Sequence, residues 1–238
     1  GQEELKMKVF VTGVAGQLGH DVMNELAKRG YEGVGSDIAP SYSGISDGTA
    51  VTTMPYISMD ITDAAAVEKT LQDVKPDVVV HCAAWTAVDL AEDDDKVAKV
   101  RAINADGTRN IATVCKALDC KMVYISTDYV FDGQGSEPWL PKLEGELAVS
   151  KTLDKYFIVR IAWVFGKNGK NFIKTMLNLG RKLTSLRVVS DQIGTPTYTY
   201  DLARLLVDMI ETDKYGYYHA TNSGEYISWY DFTKEIFR

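Results

Sequence analysis

Lys8-Val-Phe-Val-Thr12-Gly13-Val-Ala-Gly16-Gln17-Leu18-Gly19 decides the fold. Val9 to Val11 form an apolar run of buried-strand type, cut off at Gly13. From Gln17 the pattern changes period: Leu18, Val22 and Leu26 recur on one helical face, until Arg29-Gly30 supplies a basic last turn and a glycine stop. Three glycines three residues apart join the two elements. Gly13 permits the tight turn, Gly16 lets the backbone approach a pyrophosphate, and Gly19 lets the helix pack close to the strand. The helix start then offers free N–H groups and a positive dipole end to phosphates. A strand, a glycine turn and a helix in this order predict a dinucleotide site built from Gly13, Gly16, Gln17, Leu18 and Gly19.

Outward from this unit, strands and helices alternate. Tyr31 to Ser36 reads as a strand ending at Asp37, at the spacing expected for the acid that takes the adenosine ribose hydroxyls, about 20 residues past the glycines. No Arg or Lys follows Asp37 to receive a 2′-phosphate. Residues 39–54 are rich in Ser, Gly and Thr and read as a surface loop. Tyr56 to Met59 is a short strand ending at Asp60-Ile61, and Thr62 or Asp63 caps a helix running to Val74, closed by Lys75-Pro76. Asp77 to His81 is a fourth strand, and Ala83 and Ala84 beyond it are small enough for a dinucleotide to pass against backbone. A long helix from Lys96 to Leu118 and a strand from Val123 to Ser126 follow. Then come helices at 142–154, 171–183 and 200–210, strands at 156–161, 186–189 and 217–220, and a helix from Ser228 onward. The pattern predicts an α/β fold, a Rossmann-type doubly wound parallel sheet with right-handed crossovers. We expect a dinucleotide-binding domain over 7–162 and a small mixed α/β substrate lobe over 163–238, with later strands returning to the first domain.

The 238 residues are 45% apolar and 25% charged, with a formal net charge of −7. An acidic chain is a poor partner for nucleic acid or an anionic membrane surface, and no apolar run reaches the roughly 18 residues of a membrane span. Cys82, Cys115 and Cys120 lack zinc-like spacing and read as reduced thiols, and no metal site is expected. The expected location is cytoplasmic. Gly1 to Lys6 read as a polar leader outside the fold, and the chain stops at Phe237-Arg238 without a helix-capping signal, as if C-terminal residues were missing.

The chemistry is concentrated in Val123-Tyr-Ile-Ser126-Thr127-Asp-Tyr129-Val-Phe-Asp-Gly133 and Lys142-Leu-Glu-Gly-Glu146, a strand ending in hydroxyls and a lysine at the next helix start. This resembles the short-chain dehydrogenases/reductases, in which a strand-end Ser or Thr works with a Tyr-x-x-x-Lys. Together with His81-Cys-Ala-Ala-Trp-Thr86-Ala-Val-Asp89, Asn104-Ala-Asp-Gly-Thr-Arg-Asn110, Arg160-Ile-Ala-Trp163-Val-Phe-Gly166, Asn171-Phe172 and Asp191-Gln-Ile-Gly-Thr-Pro-Thr-Tyr198, the chain is similar to the dTDP-4-dehydrorhamnose reductase family of extended members. The resemblance implies hydride transfer from NADPH or NADH to the C4 ketone of a nucleotide sugar. It implies Thr127 and Lys142 as catalytic residues, Thr127 polarising the carbonyl and Lys142 holding ribose hydroxyls and tuning a tyrosine. It further implies Asp60 and Ile61 beside adenine, Asn104 as support, and Thr86, Tyr129 and Trp163 at the sugar. Arg160 is expected in an ion pair rather than on substrate. The resemblance also admits a homodimer.

One departure stands out: four residues before Lys142, where the tyrosine belongs, stands Pro138. The expectation is that Trp139 and Leu140 flank encoded residues that carry this tyrosine. Two other readings stay open, a non-catalytic nucleotide-binding regulatory subunit on the same scaffold and a sugar-nucleotide epimerase or dehydratase. Against the dehydratase, Asp128 is followed by Tyr129 rather than by a second acid.

Overall fold

The computed structural model of the chain describes residues 6–44, 53–82, 102–131, 140–165, 198–222 and 227–235. Strand β1 (Lys8–Thr12) leads through the glycine turn into helix α1 (Gln17–Lys28), followed by β2 (Glu32–Asp37) and β3 (Tyr56–Ser58). Helix α2 (Ala64–Val74) is capped by the Asp63 carboxylate, which accepts from the Ala66 N–H at 3.1 Å, and ends where Lys75 turns left-handed at φ 50°. Then come β4 (Val78–His81), a π turn (Ala102–Gly107), α3 (Thr108–Leu118), β5 (Lys121–Phe131), α4 (Leu140–Thr152) and β6 (Tyr156–Phe165). Helix α5 (Tyr198–Ile210), β7 (Gly216–Asn222) and β8 (Ile227–Glu235) complete the described elements.

Among these residues the strands form one eight-stranded sheet in the order β3-β2-β1-β4-β5-β6-β7-β8. All neighbours are parallel except β7 and β8. The order reverses beside β1, which opens a crevice at the carboxyl ends of β1 and β4, the place where open α/β sheets bind ligands. Alternation along the strands divides the core. Val9, Val11, Val80, Val123 and Ile125 pack with Val22 and Leu26 of α1 and Leu206 and Ile210 of α5. Phe10, Val79, Met122 and Tyr124 pack on the other face with Leu71, Ile111 and Val149 of α2, α3 and α4. Strands buried on both faces read as continuous apolar runs, which is why β1 and β4 were plain in the sequence.

Three readings change. The C-terminal segment expected as a helix from Ser228 is instead β8, antiparallel to β7, with Tyr217 opposite Glu235 and Asn222 opposite Ile227. Its Ile227, Trp229, Tyr230, Phe232 and Thr233 are residues that favour a pleated surface, and the edge of β7 pairs with the strand at its two ends, Ile227–Ser228 and Thr233–Glu235. Strands β5 and β6 run on to Phe131 and Phe165, because they pair without a break from Met122–Tyr156 to Phe131–Phe165. The long helix before β5 opens, in its described part, with a π turn rather than an α-helical one. There the backbone presses on Ile61: a Cβ on Gly107 would lie 2.7 Å from Ile61 Cδ1. The expected helix at 171–183 and strand at 186–189 lie outside the described residues. All three cysteines are free and buried, and burial pushes the Cys82 thiol up to about 12. No helix among the described residues is long and apolar enough to cross a membrane.

Candidate active site

The glycine turn has the conformation its sequence requires. Gly13 sits at φ 72°, and the Gly16 N–H donates to the Gly13 carbonyl at 3.1 Å. A Cβ on Gly19 would stand 2.3 Å from the Gly13 carbonyl oxygen, so only glycine lets α1 start this close to the turn. No side chain caps α1, and its first turn carries no acidic residue. The helix start therefore keeps its N–H groups and its positive end for an anion. Beside it, Oε1 of Gln17 is buried without a hydrogen-bond partner, while the amide nitrogen of Gln17 donates to Asp21 at 2.8 Å. An uncapped helix start and a glycine-lined turn fit a dinucleotide diphosphate, whereas the Gln17 oxygen can take only a donor such as a hydroxyl.

Asp37, at the end of β2, closes the site's far side. Its Oδ2 accepts from the Ala15 N–H at 3.0 Å and its Oδ1 from the Ile38 N–H at 2.8 Å. The carboxylate thus holds the glycine turn as well as presenting charge next to it. Asp60 is exposed and accepts from the N–H and hydroxyl of Thr62 at 2.9 and 2.7 Å. Ile61 is buried, and its carbonyl accepts from the Asn110 side chain at 2.9 Å.

Under the turn lies a buried polar bridge that the sequence reading did not single out. The His81 ring lies 2.7 Å from the Thr12 hydroxyl and 3.1 Å from the Thr108 hydroxyl, and the Cys82 N–H donates to Thr12 at 3.0 Å. His81 is fully enclosed and stacks on Tyr124 at 5.9 Å between centroids. Burial pushes its pKa down to about 3. A neutral imidazole has one donor and one acceptor nitrogen, which suits two hydroxyls. The ends of β1 and β4 are thereby tied to the start of α3, directly after the π turn that carries Asn104.

The stretch that the resemblance reads as catalytic lies on β5, β6 and α4. Thr127 is on β5 opposite Ile161, and Tyr129 is paired in register with Trp163. Two of the three residues that the resemblance assigned to the sugar are therefore ladder neighbours, beyond the point where the sequence ended both strands. Lys142 is the third residue of α4. Ala83, Ala84, Thr86 and Trp139 lie outside the described residues. Arg160 forms the expected ion pair: its Nε and Nη2 donate to Oε1 of Glu146 at 2.9 and 2.7 Å. Ser126 donates to the other oxygen of Glu146 at 2.8 Å. Glu146 was visible in the sequence only as the last residue of the lysine motif, and a charge four residues after Lys142 gave no sign of burial.

The family model described as "RmlD substrate binding domain" matches residues 7–238. A dTDP-4-dehydrorhamnose reductase from Streptomyces griseus is 37% identical over 248 residues, covering 96% of this chain and 75% of the relative. A dTDP-4-keto-6-deoxy-D-glucose reductase from Streptomyces niveus is 35% identical over 243 residues, covering 96% of this chain and 77% of the relative. The crystal structure of a dTDP-4-dehydrorhamnose reductase from Bacillus anthracis in complex with NADP is similar at a TM-score of 0.62 and 31% identity, covering 93% of this chain and 77% of that one.

Proposed function

The chain belongs to the family described by the RmlD substrate binding domain, and from that premise we propose that it reduces the C4 ketone of dTDP-4-dehydro-L-rhamnose to give dTDP-L-rhamnose. The observation that carries this reading is that the diphosphate cradle at Gly13–Gly19, after β1, lies on the same carboxyl-end side of the parallel sheet as the ends of β5 and β6. When bound, NADPH or NADH supplies the hydride. Gly13, Gly16, Gln17, Leu18 and Gly19 hold the diphosphate, Asp37 the adenosine ribose, and Asp60 and Ile61 the adenine, with Ala83 and Ala84 along the dinucleotide. Thr127 donates to the ketone oxygen, polarising it and fixing which face is open. Lys142 binds ribose hydroxyls and lowers the pKa of the proton donor. That donor is the tyrosine the reading places in encoded residues between Trp139 and Leu140. Thr86, Tyr129 and Trp163 hold the sugar, Asn104 supports the site from the π turn, and residues 163–238 contribute the substrate side. A homodimer is compatible with this reading and is not required by it. Nucleic acid does not, given the net charge of −7.

The test is turnover by the protein expressed from its gene. Oxidation of NADPH or NADH is expected with dTDP-4-dehydro-L-rhamnose, and not with a nucleotide sugar lacking the ketone. Turnover only with dTDP-4-keto-6-deoxy-D-glucose would move the assignment to that diastereomer, and no turnover with either ketone would overturn it.

Asp37 gives a second expected result. Its charge repels a 2′-phosphate, so NADH should serve at least comparably to NADPH. Because the carboxylate also holds the Ala15 and Ile38 N–H groups, Asp37→Asn is the informative change: it removes charge and keeps an acceptor. The ratio of kcat/KM for NADPH to that for NADH should rise about tenfold, the order of a relieved like-charge contact. An unchanged ratio would show that Asp37 is not at the ribose.

A further inference from the structure

We propose that Glu146 is a positioning residue for the reduction, a buried carboxylate that fixes the seat of α4 on β5 and so the relation of Lys142 to Thr127. The proposal rests on the placement of those two residues given above.

Ser126 and Arg160 are register partners on adjacent strands. Both reach the same carboxylate from the sheet, Ser126 at Oε2 and Arg160 twice at Oε1. Glu146 is 5% exposed, and among the described residues Ser126 and Arg160, both on the sheet, donate three hydrogen bonds to it. The Arg160 guanidinium is held in turn over the Tyr217 ring of β7, 4.8 Å from its centroid. Glu146 lies one helical turn after Lys142, and Ser126 is bonded to Thr127. One carboxylate therefore joins the lysine's helix to the threonine's strand.

Apolar packing sets which face of α4 meets the sheet: Ala148 and Val149 are buried beside Glu146. Leu147 is 40% exposed while its neighbour Glu146 is buried. Successive helix residues lie about 100° apart, so Glu146 shares the packed face of α4 while Leu147 is turned away from it. The hydrogen bonds of the carboxylate then fix where along β5 and β6 that packed face sits. A buried ion pair adds little stability over apolar residues of similar volume, but breaking it leaves a charge unpaired. The cluster thus selects one geometry over others of similar stability.

The test compares Glu146→Gln and Ser126→Ala with the double variant Glu146→Leu/Arg160→Met. Each is read by kcat and KM for the keto sugar, the NADPH dissociation constant from fluorescence titration, and the thermal midpoint. Glu146→Gln is expected to lower kcat about tenfold or more, within the range for an ångström-scale misplacement, with KM and the dissociation constant within about threefold of wild type. Ser126→Ala, which leaves the ion pair whole, should lower kcat by about threefold on the same grounds. The double variant should keep a thermal midpoint near wild type and still lose kcat, a separation that a merely structural role does not produce. If Glu146→Gln does not fold, Ser126→Ala and the double variant decide. Wild-type kcat in the folded variants, whatever their midpoints, overturns the proposal. Thr127→Val and Lys142→Met run in parallel: if they keep wild-type kcat, the site assignment fails and takes the proposal with it. If they lose activity while Ser126→Ala and the Glu146 variants do not, the positioning role alone is refuted.

Discussion

Lys142→Met is expected to lower kcat/KM for the keto sugar by about 10³-fold, roughly 4 kcal/mol of transition-state stabilisation. The lysine does two tasks in the proposed site, holding ribose hydroxyls and lowering the pKa of the proton donor, and methionine keeps the length of the side chain while removing both. Stability should move the other way. Lys142 is in the first turn of α4, which holds no acidic residue, so its charge faces the positive end of the helix dipole. Removing it should leave the fold unchanged or firmer by a few tenths of a kcal/mol, up to about 1. Thr127→Val should cost about 10²-fold in kcat/KM, the scale for losing one donor to a developing oxyanion. A loss of less than tenfold in Lys142→Met, measured at neutral pH with the cofactor saturating, would remove the lysine from the chemistry.

Acid should weaken the protein through His81. An unfolded histidine titrates near 6.5, and in the folded chain burial brings His81 down to about 3. Between these values the unfolded state binds the extra proton, so stability is full above about 6.5 and is lost as pH falls toward about 3. At pH 5 the expected loss from this one residue is about 2 kcal/mol. Carboxylates titrate in the same region, so the informative quantity is a difference. Denaturation midpoints of wild type and His81→Asn at pH 7.5 and pH 5 should show wild type losing about 2 kcal/mol more over the interval. Equal losses would mean that His81 is already protonated, or reachable by water, in the folded state.

The features legible in the sequence are those written locally. The Gly13–Gly16–Gly19 spacing, the Asp63 cap and the apolar runs of β1 and β4 each depend on residues a few positions apart. The features that escaped depend on partners far along the chain. His81 bridges hydroxyls 69 positions before it and 27 after it. Ser126 and Arg160 lie 20 and 14 positions from Glu146. A buried carboxylate and a solvated one have the same letter, and only the fold tells them apart. The strand ends failed for a related reason. Thr127 and Asp128 looked like the close of a strand, but the β5–β6 ladder carried both strands further. The segment from Ser228 was expected as a helix, whereas the open edge of β7 decided its form.

The pairing of α1 with α5 has a consequence in time. Arg29 donates to Asp208 at 2.6 Å across 179 positions of sequence, and Leu26 shares its core with Leu206 and Ile210. On a ribosome adding about 5–20 residues per second, the apolar stripe of the first helix waits roughly ten to thirty-five seconds for its cover to be synthesised. During that interval the glycine turn and its helix have the first strands to pack on but lack the cover of α5. The nascent first half is thus a natural client for a holding chaperone, and synthesis rate, as much as final stability, will govern how much of it escapes aggregation.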